Sequence, residues 1–235
     1  MEFTNKVVVV TGGSEGIGRA LVELFLHKGA KVATCGRNHD KLYMLQQQFS
    51  GVPLHTAVAD VSNEDDCNNF IQSTVQAFGG IDILINNAGL GGEVSVVEMS
   101  DDQWHRVLDV TLTSVFRMTR AFLPLMQQRG TGAIVNNASV LGWRAQKGQA
   151  HYAAAKAGVM AFTRCSAVEA AEFGVRINAV APSIAMHAFL AKVTSEDLLD
   201  ELAAKEAFGR PAEVWEIANV MLFLASDLAS YMTGE

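Results

Sequence analysis

Three side chains stand out by type and spacing: Ser139, Tyr152 and Lys156. Tyr152 and Lys156 are four positions apart in the alanine-rich run AHYAAAKAG. Alanine is the strongest helix former, and residues four apart share a helix face, so phenol and ammonium are expected side by side. A free phenol titrates at about 10, too high for an efficient base at neutral pH. A neighbouring ammonium favours the phenolate and lowers that value. Ser139 closes the run GAIVNNAS, and its hydroxyl can donate to a carbonyl oxygen while Tyr152 gives or takes a proton.

The elements that must hold this trio follow from the pattern of the chain. KVVVVTGG, AKVATCG, LHTAVAD, IDILINNAG, GAIVNNAS and VRINAVAP read as six short strands. Between them the spacing predicts helices over 16–28 and 40–49, one capped by Ser62 or Asn63, one capped by Ser100 running towards Pro124, and a long one over 149–172. Near-continuous apolar strands separated by helices mean an α/β fold with a parallel sheet covered on both faces. Without repeats or linkers, residues 1–235 read as one doubly wound, Rossmann-type domain. The sequence ends at SYMTGE, where such a sheet would add a seventh strand. That strand is expected to be missing, leaving strand six or its neighbour with an unpaired edge.

The first strand runs straight into TGGSEGIGRA, with Gly12, Gly16 and Gly18 in TGxxxGxG spacing. Glycines there let the turn form, let backbone approach a pyrophosphate, and let the helix pack on the sheet. The helix N-terminus adds free N–H groups and a positive dipole end. Strand, turn and helix start in this order predict dinucleotide binding, with Ser14, Glu15 and Ile17 in the same turn. The second strand ends TCGRN, where a carboxylate would hold the ribose 2′-hydroxyl of NAD. Arg37 stands there instead, either a partner for a 2′-phosphate or a solvated arginine, so NADP(H) is favoured over NAD(H). Glu15 either pairs with Arg37 or repels that phosphate. Asp60, followed by Val61, either accepts from the adenine amino group or caps the next helix. Asn87, Ala88 and Gly89 of NNAG let a cofactor ribose lie close, while Asn86 or Asn87 ties strand ends together. A bound nicotinamide ring would further favour the Tyr152 phenolate.

A net charge of −7 with no basic run argues against a nucleic-acid or anionic-membrane surface as partner. Hydrophobic content of 49% with 18% charged residues indicates a packed globule. Cys35, Cys67 and Cys165 form no CxxC pair, which suits a reducing, cytoplasmic setting and no metal site. The opening apolar run is too short for a signal peptide, and no window reaches the length of a membrane span.

Taken together, TGxxxGxG, NNAG and Ser-x12-Tyr-x3-Lys resemble the short-chain dehydrogenase/reductase family, over practically the whole chain from Val7 to Gly234. The resemblance implies a nicotinamide-dependent oxidoreductase that interconverts a ketone and a secondary alcohol. It implies that Tyr152 is the acid/base, that Ser139 orients the substrate, and that Lys156 lowers the tyrosine pKa and holds the nicotinamide ribose. Within the family the chain looks most like reductases of 3-oxoacyl thioesters, and NNASVLGW and PSIAMH faintly resemble members acting on CoA thioesters. The segments 91–99, 141–149 and 183–206 are expected to choose the substrate, with Trp143, Met186, Phe189 and Leu190 either lining an apolar pocket or packing in the core. The long helices over 107–122 and 153–173 resemble those that pair subunits, implying a homodimer or homotetramer.

Three departures accompany the resemblance. Thr111, in DVTLTS, replaces the asparagine that supports a water-linked proton path to the lysine, and is expected to keep a slower relay. Pro182, Ser183 and Ile184 stand at the cofactor-binding turn after strand six, with Ser183 for the usual glycine and His187 near the cofactor phosphate. The last strand is absent. These departures, with a compositional seam near Gly91, leave open an alternative: a truncated or recombined dinucleotide-binding scaffold with little or no turnover.

Overall fold

The computed structural model describes residues 1–186 and 196–235 of the chain. His187, Phe189 and Leu190 lie outside the described residues.

The core of the sheet is β1 (Val7–Thr11), buried along its whole length because strands flank it and helices cover both faces. Each fully buried valine there contributes about 1.5–3 kcal/mol relative to exposure. From β1 the chain passes through α1 (Gly16–His27), β2 (Lys31–Gly36), α2 (His39–Gln48), β3 (Leu54–Val58) and α3 (Glu64–Phe78), then crosses back to β4 (Ile83–Asn86). There follow α4 (Asp101–Leu108), a five-residue π-turn over Asp109–Thr113, α5 (Ser114–Arg129), β5 (Gly132–Asn137), α6 (Ala150–Ala171) and β6 (Val175–Val180). The six strands pair in the order β3-β2-β1-β4-β5-β6, all parallel. The order reverses between β1 and β4, which opens a crevice at their C-terminal ends, where ligands bind in such sheets.

Alternate residues of one strand feed two cores. Val8 and Val10 pack with α1 and with α8 (Val214–Ala225) on one face, while Val9 packs with Phe70, Met118 and Phe122 on the other. Between β6 and α8 lie two-residue strands, β7 (Ala185–Met186) and β8 (Ala212–Glu213), paired with each other, and α7 (Glu196–Ala204).

Two expectations need correction. The helix that starts after Ser100 does not stop near Pro124. It switches to π geometry over five residues and then runs through Pro124 to Arg129. Pro124 is exposed, so water can reach the carbonyl that its missing N–H leaves free. The expected bare edge of β6 is partly covered. Gly234 N–H donates to the Ile177 carbonyl at 2.8 Å, and Ala179 N–H donates to the Glu235 carbonyl at 2.7 Å. Asn178 Nδ2 donates to Met232 O, and Asn178 Oδ1 accepts from Glu235 N–H, so one buried amide anchors this tail.

Candidate active site

The turn after β1 is shaped by contacts that leave no room for side chains. Gly12 has φ +71°, a left-handed conformation that favours glycine. A Cβ on Gly18 would overlap the Gly12 carbonyl oxygen, and one on Gly13 would overlap Thr34 Oγ1, to which the Gly13 N–H donates. Glu15 is the N-cap of α1 but makes no side-chain capping bond. The first-turn N–H groups at Gly16, Ile17 and Gly18 therefore face the crevice without a side-chain cap. This cradle, which a Cβ would fill, fits the pyrophosphate of a dinucleotide.

Around the cradle the polar residues sort themselves. Thr11 Oγ1 accepts from the N–H groups of Asn87 and Ala88, each at 3.0 Å. Asn87 Nδ2 donates to Thr11 O at 3.0 Å, and its Oδ1 accepts from Asn137 Nδ2. Asn86 Nδ2 donates to Asn136 Oδ1 at 2.9 Å and to Thr119 Oγ1. Both asparagines of NNAG thus tie strands, where one had been expected to. Asp60 Oδ1 accepts from the N–H and hydroxyl of Ser62, while the helix cap is Asn63. Those bonds, with Arg37, hold the Asp60 carboxyl below the usual range against the effect of burial. Arg37 stays exposed, 3.9 Å from Asp60. Glu15 does not pair with Arg37; its partner is Lys41 on α2. Val61 is buried and its carbonyl accepts from Cys67 Sγ.

The trio comes together at the ends of β5 and α6. Ser139 follows β5, and its Oγ accepts from Leu141 N–H at 3.2 Å, which starts a 3-10 turn there. Burial raises the Tyr152 pKa, and a hydrogen bond with Ser139 opposes that shift. One turn on, Lys156 is buried; its Nζ donates to Asn137 O and lies 5.6 Å from the Tyr152 ring centroid. Burial lowers its pKa to about 7. Both groups are therefore pushed towards their neutral forms. The chain β4–loop closes over them: a Cβ on Gly89 would lie 3.6 Å from Lys156 Nζ, and one on Gly91 would lie 3.6 Å from the Tyr152 ring.

A family model described as enoyl-(acyl carrier protein) reductase matches residues 12–235. The chain belongs to the short-chain dehydrogenase/reductase family. It is 55% identical to a Mycobacterium tuberculosis protein, (5R,7aS)-5-hydroxy-7a-methyl-1-oxo-2,3,5,6,7,7a-hexahydro-1H-indene-carboxyl-CoA reductase, covering 98% of this chain and 90% of that one. It is 36% identical to a 3-oxoacyl-(acyl-carrier-protein) reductase from Thermotoga maritima, over 100% of this chain and 96% of the relative. A crystal structure of a short chain dehydrogenase from Mycobacterium smegmatis superposes with TM-score 0.87 at 49% identity, covering 99% of this chain and 90% of that one. The chain is thus an oxidoreductase of the type that acts on CH–OH and C=O groups.

In this short-chain dehydrogenase/reductase, Thr111 binds the backbone of the loop after β4. It is fully buried in the π-turn, and its Oγ1 both donates to Leu90 O and accepts from Leu90 N–H, each at 3.0 Å. Its hydroxyl proton is therefore committed to the loop after β4. Pro182, Ser183 and Ile184 are held on both sides: Val140 N–H donates to Pro182 O, Ser183 Oγ to Glu206, and Ala212 N–H to Ile184 O. Trp143 and Met186 are exposed rather than core. The segments 91–99 and 141–149, which were expected to choose the substrate, meet where Val94 N–H donates to Gly148 O at 3.0 Å.

Sequence reasoning missed three neighbours of this site. Asn137 supplies the carbonyl that holds Lys156, a backbone role with no residue signature. His151, next to Tyr152, is buried with Nδ1 unpartnered and Nε2 towards Gly92. Lys41 faces the phosphate turn from a helix that reads as ordinary surface.

Proposed function

We propose that this short-chain dehydrogenase/reductase interconverts a ketone and a secondary alcohol on a CoA thioester, using NADPH, with Ser139, Tyr152 and Lys156 as its catalytic residues. The observation that carries the chemistry is the convergence of those three side chains beside the glycine cradle. When bound there, the nicotinamide cofactor supplies or takes up the hydride. Gly12, Ser14, Gly16, Ile17 and Gly18 would hold its pyrophosphate, with Asn87, Ala88, Gly89 and Lys156 beside the ribose and Ser183 and Ile184 beyond the ring. Arg37, exposed and only loosely paired, supports the choice of a 2′-phosphorylated cofactor.

In the reductive direction, the Ser139 and Tyr152 hydroxyls donate to the carbonyl oxygen and localise its developing negative charge. Tyr152 then releases its proton to the alkoxide. Burial keeps that proton on the phenol at neutral pH, so the group starts as the acid this direction needs. Lys156, held by Asn137 O beneath the ring, steadies the phenolate that remains. Thr111 acts as a positioning residue: by clamping Leu90 it fixes the Gly89–Gly91 backbone against Lys156 and Tyr152.

The CoA thioester is supported by the relative from Mycobacterium tuberculosis, whose name is that of a carboxyl-CoA reductase. Phe116 on α5 and Val168 on α6 are large apolar side chains left exposed, which supports pairing of subunits through these helices. No helix among the described residues is long and apolar enough to cross a membrane. The test follows loss of reduced-nicotinamide absorbance with a panel of oxo-acyl-CoA thioesters and free ketones. Tyr152→Phe should lower turnover about a hundredfold or more while leaving cofactor binding intact. Turnover that survives in Tyr152→Phe would refute the assignment.

A further inference from the structure

Glu15 is an awkward residue for an enzyme that takes a 2′-phosphorylated cofactor. It stands one position before Gly16 and puts a carboxylate into the phosphate turn. That carboxylate does not fold back over the α1 N-terminus. It reaches across to Lys41, the third residue of α2, and leaves the helix end free for pyrophosphate.

The reach is set by backbone on both sides. Asn38 caps α2, its Oδ1 accepting from Lys41 N–H at 2.9 Å, which fixes the lysine just beyond Arg37. Opposite, Ser14 Oγ lies 3.2 Å from where a Cβ on Gly36 would be. Residues 14–15 and 36–41 are therefore the two rims of one cleft. Arg37 and Lys41 are the cations that face Asp60 and Glu15 there, while Asp40 is turned out to solvent beside His39. Asp60 is already occupied by Ser62. Glu15 is neutralised by Lys41, the cation it is paired with.

We propose that the Glu15–Lys41 pair sets cofactor choice, Lys41 being the counter-ion that makes Glu15 compatible with a 2′-phosphate. The proposal rests on the NADPH reading above. An ammonium is a compact point charge with three donors, so Lys41 can keep Glu15 and still face a phosphate oxygen. An uncharged 2′-hydroxyl is indifferent to this balance. Loss of Lys41 must then weaken NADPH binding selectively, and only because Glu15 is left unneutralised.

The test titrates NADPH and NADH into the full chain by reduced-nicotinamide fluorescence, for wild type, Lys41→Met, Glu15→Gln, the double variant and Lys41→Arg. Both side chains are at least a third exposed, so the fold survives these changes, which circular dichroism verifies. Lys41→Met should weaken NADPH about tenfold and leave NADH within about twofold. In the Glu15→Gln background the same change should cost no more than about threefold, and Lys41→Arg should behave as wild type. Equal weakening of both cofactors, or an equal NADPH cost in the two backgrounds, overturns the proposal. Tighter binding of NADH by the wild type refutes the NADPH reading alone, since the comparison of backgrounds still decides whether the pair is coupled.

Discussion

Replacing Lys156 by methionine separates what this residue costs the fold from what it does for the reaction. Lys156 is 3% exposed, and burial lowers its pKa from 10.5 to about 7. Between those values the unfolded chain holds a proton that the folded chain has released, so stability rises with pH across that window. Below pH 7 the buried ammonium costs about 3–5 kcal/mol. Raising the pH from 7 to 9 should recover about 2 kcal/mol of it, or about 4–8 °C in Tm for a chain of this size. Methionine fills a similar volume without a charge, and Lys156→Met should show no such slope. It also strands the Asn137 carbonyl that Lys156 satisfies, a cost of about 1–3 kcal/mol that does not vary with pH. The informative quantity is therefore the difference in Tm between the two proteins, measured without cofactor from pH 7 to 9. Burial pushes Cys35 up to about 12 and Cys67 up to about 11, and their contributions run the other way above pH 9. Both thiols are present in each protein and cancel in the difference. A difference that stays constant across this range would refute the reasoning. Turnover in Lys156→Met should fall about a hundredfold or more throughout.

Two further substitutions probe the frame around the trio. Gly18→Ala places a Cβ inside the Gly12 carbonyl and against Asn87 Nδ2. It should cost about 1–3 kcal/mol in thermal melts and abolish nucleotide binding in fluorescence titrations. Thr111→Val leaves both polar groups of Leu90 without their partner, so it should cost about 1–3 kcal/mol and lower turnover evenly across pH. A shifted pH–rate profile in Thr111→Val would instead assign the hydroxyl a part in proton transfer.

Much of this architecture was legible because few signals compete in it. VVVVT can only be a strand buried on both faces, and TGGSEGIGRA directly after it fixes the crevice. The Tyr152–Lys156 spacing is legible for the same reason, since one helix decides it. What stayed hidden depends on contacts between distant segments. Glu15 and Lys41 are separated by 26 positions, so Glu15 was expected to pair with Arg37 or to repel the phosphate, and nothing local pointed to Lys41. Thr111 looked like a shortened relay residue because spacing alone cannot show that Leu90 claims its hydroxyl. Pro124 looked like a helix stop because its exposure, which makes it tolerable, is a property of the packed helix.

The repeated asparagine pairs at the ends of β4 and β5 join these threads. Asn86 pairs in register with Asn136, and their amides connect Thr119 to Thr163 through the buried sheet. One residue on, where side chains turn to the opposite face, Asn87 binds Thr11 and Asn137. Asn137 then holds Lys156 through its carbonyl. The second row thus runs from the strand that carries the glycine cradle to the lysine beneath the tyrosine. In the proposed reaction a hydride donor in the cradle and a proton donor on α6 must meet one carbon–oxygen bond, and loose strand ends would let them drift apart. Cross-strand amides supply directional ties that valine packing lacks. On the proposed reading, the asparagines of NNAG and NNAS tie the cofactor half of the crevice to its reacting half.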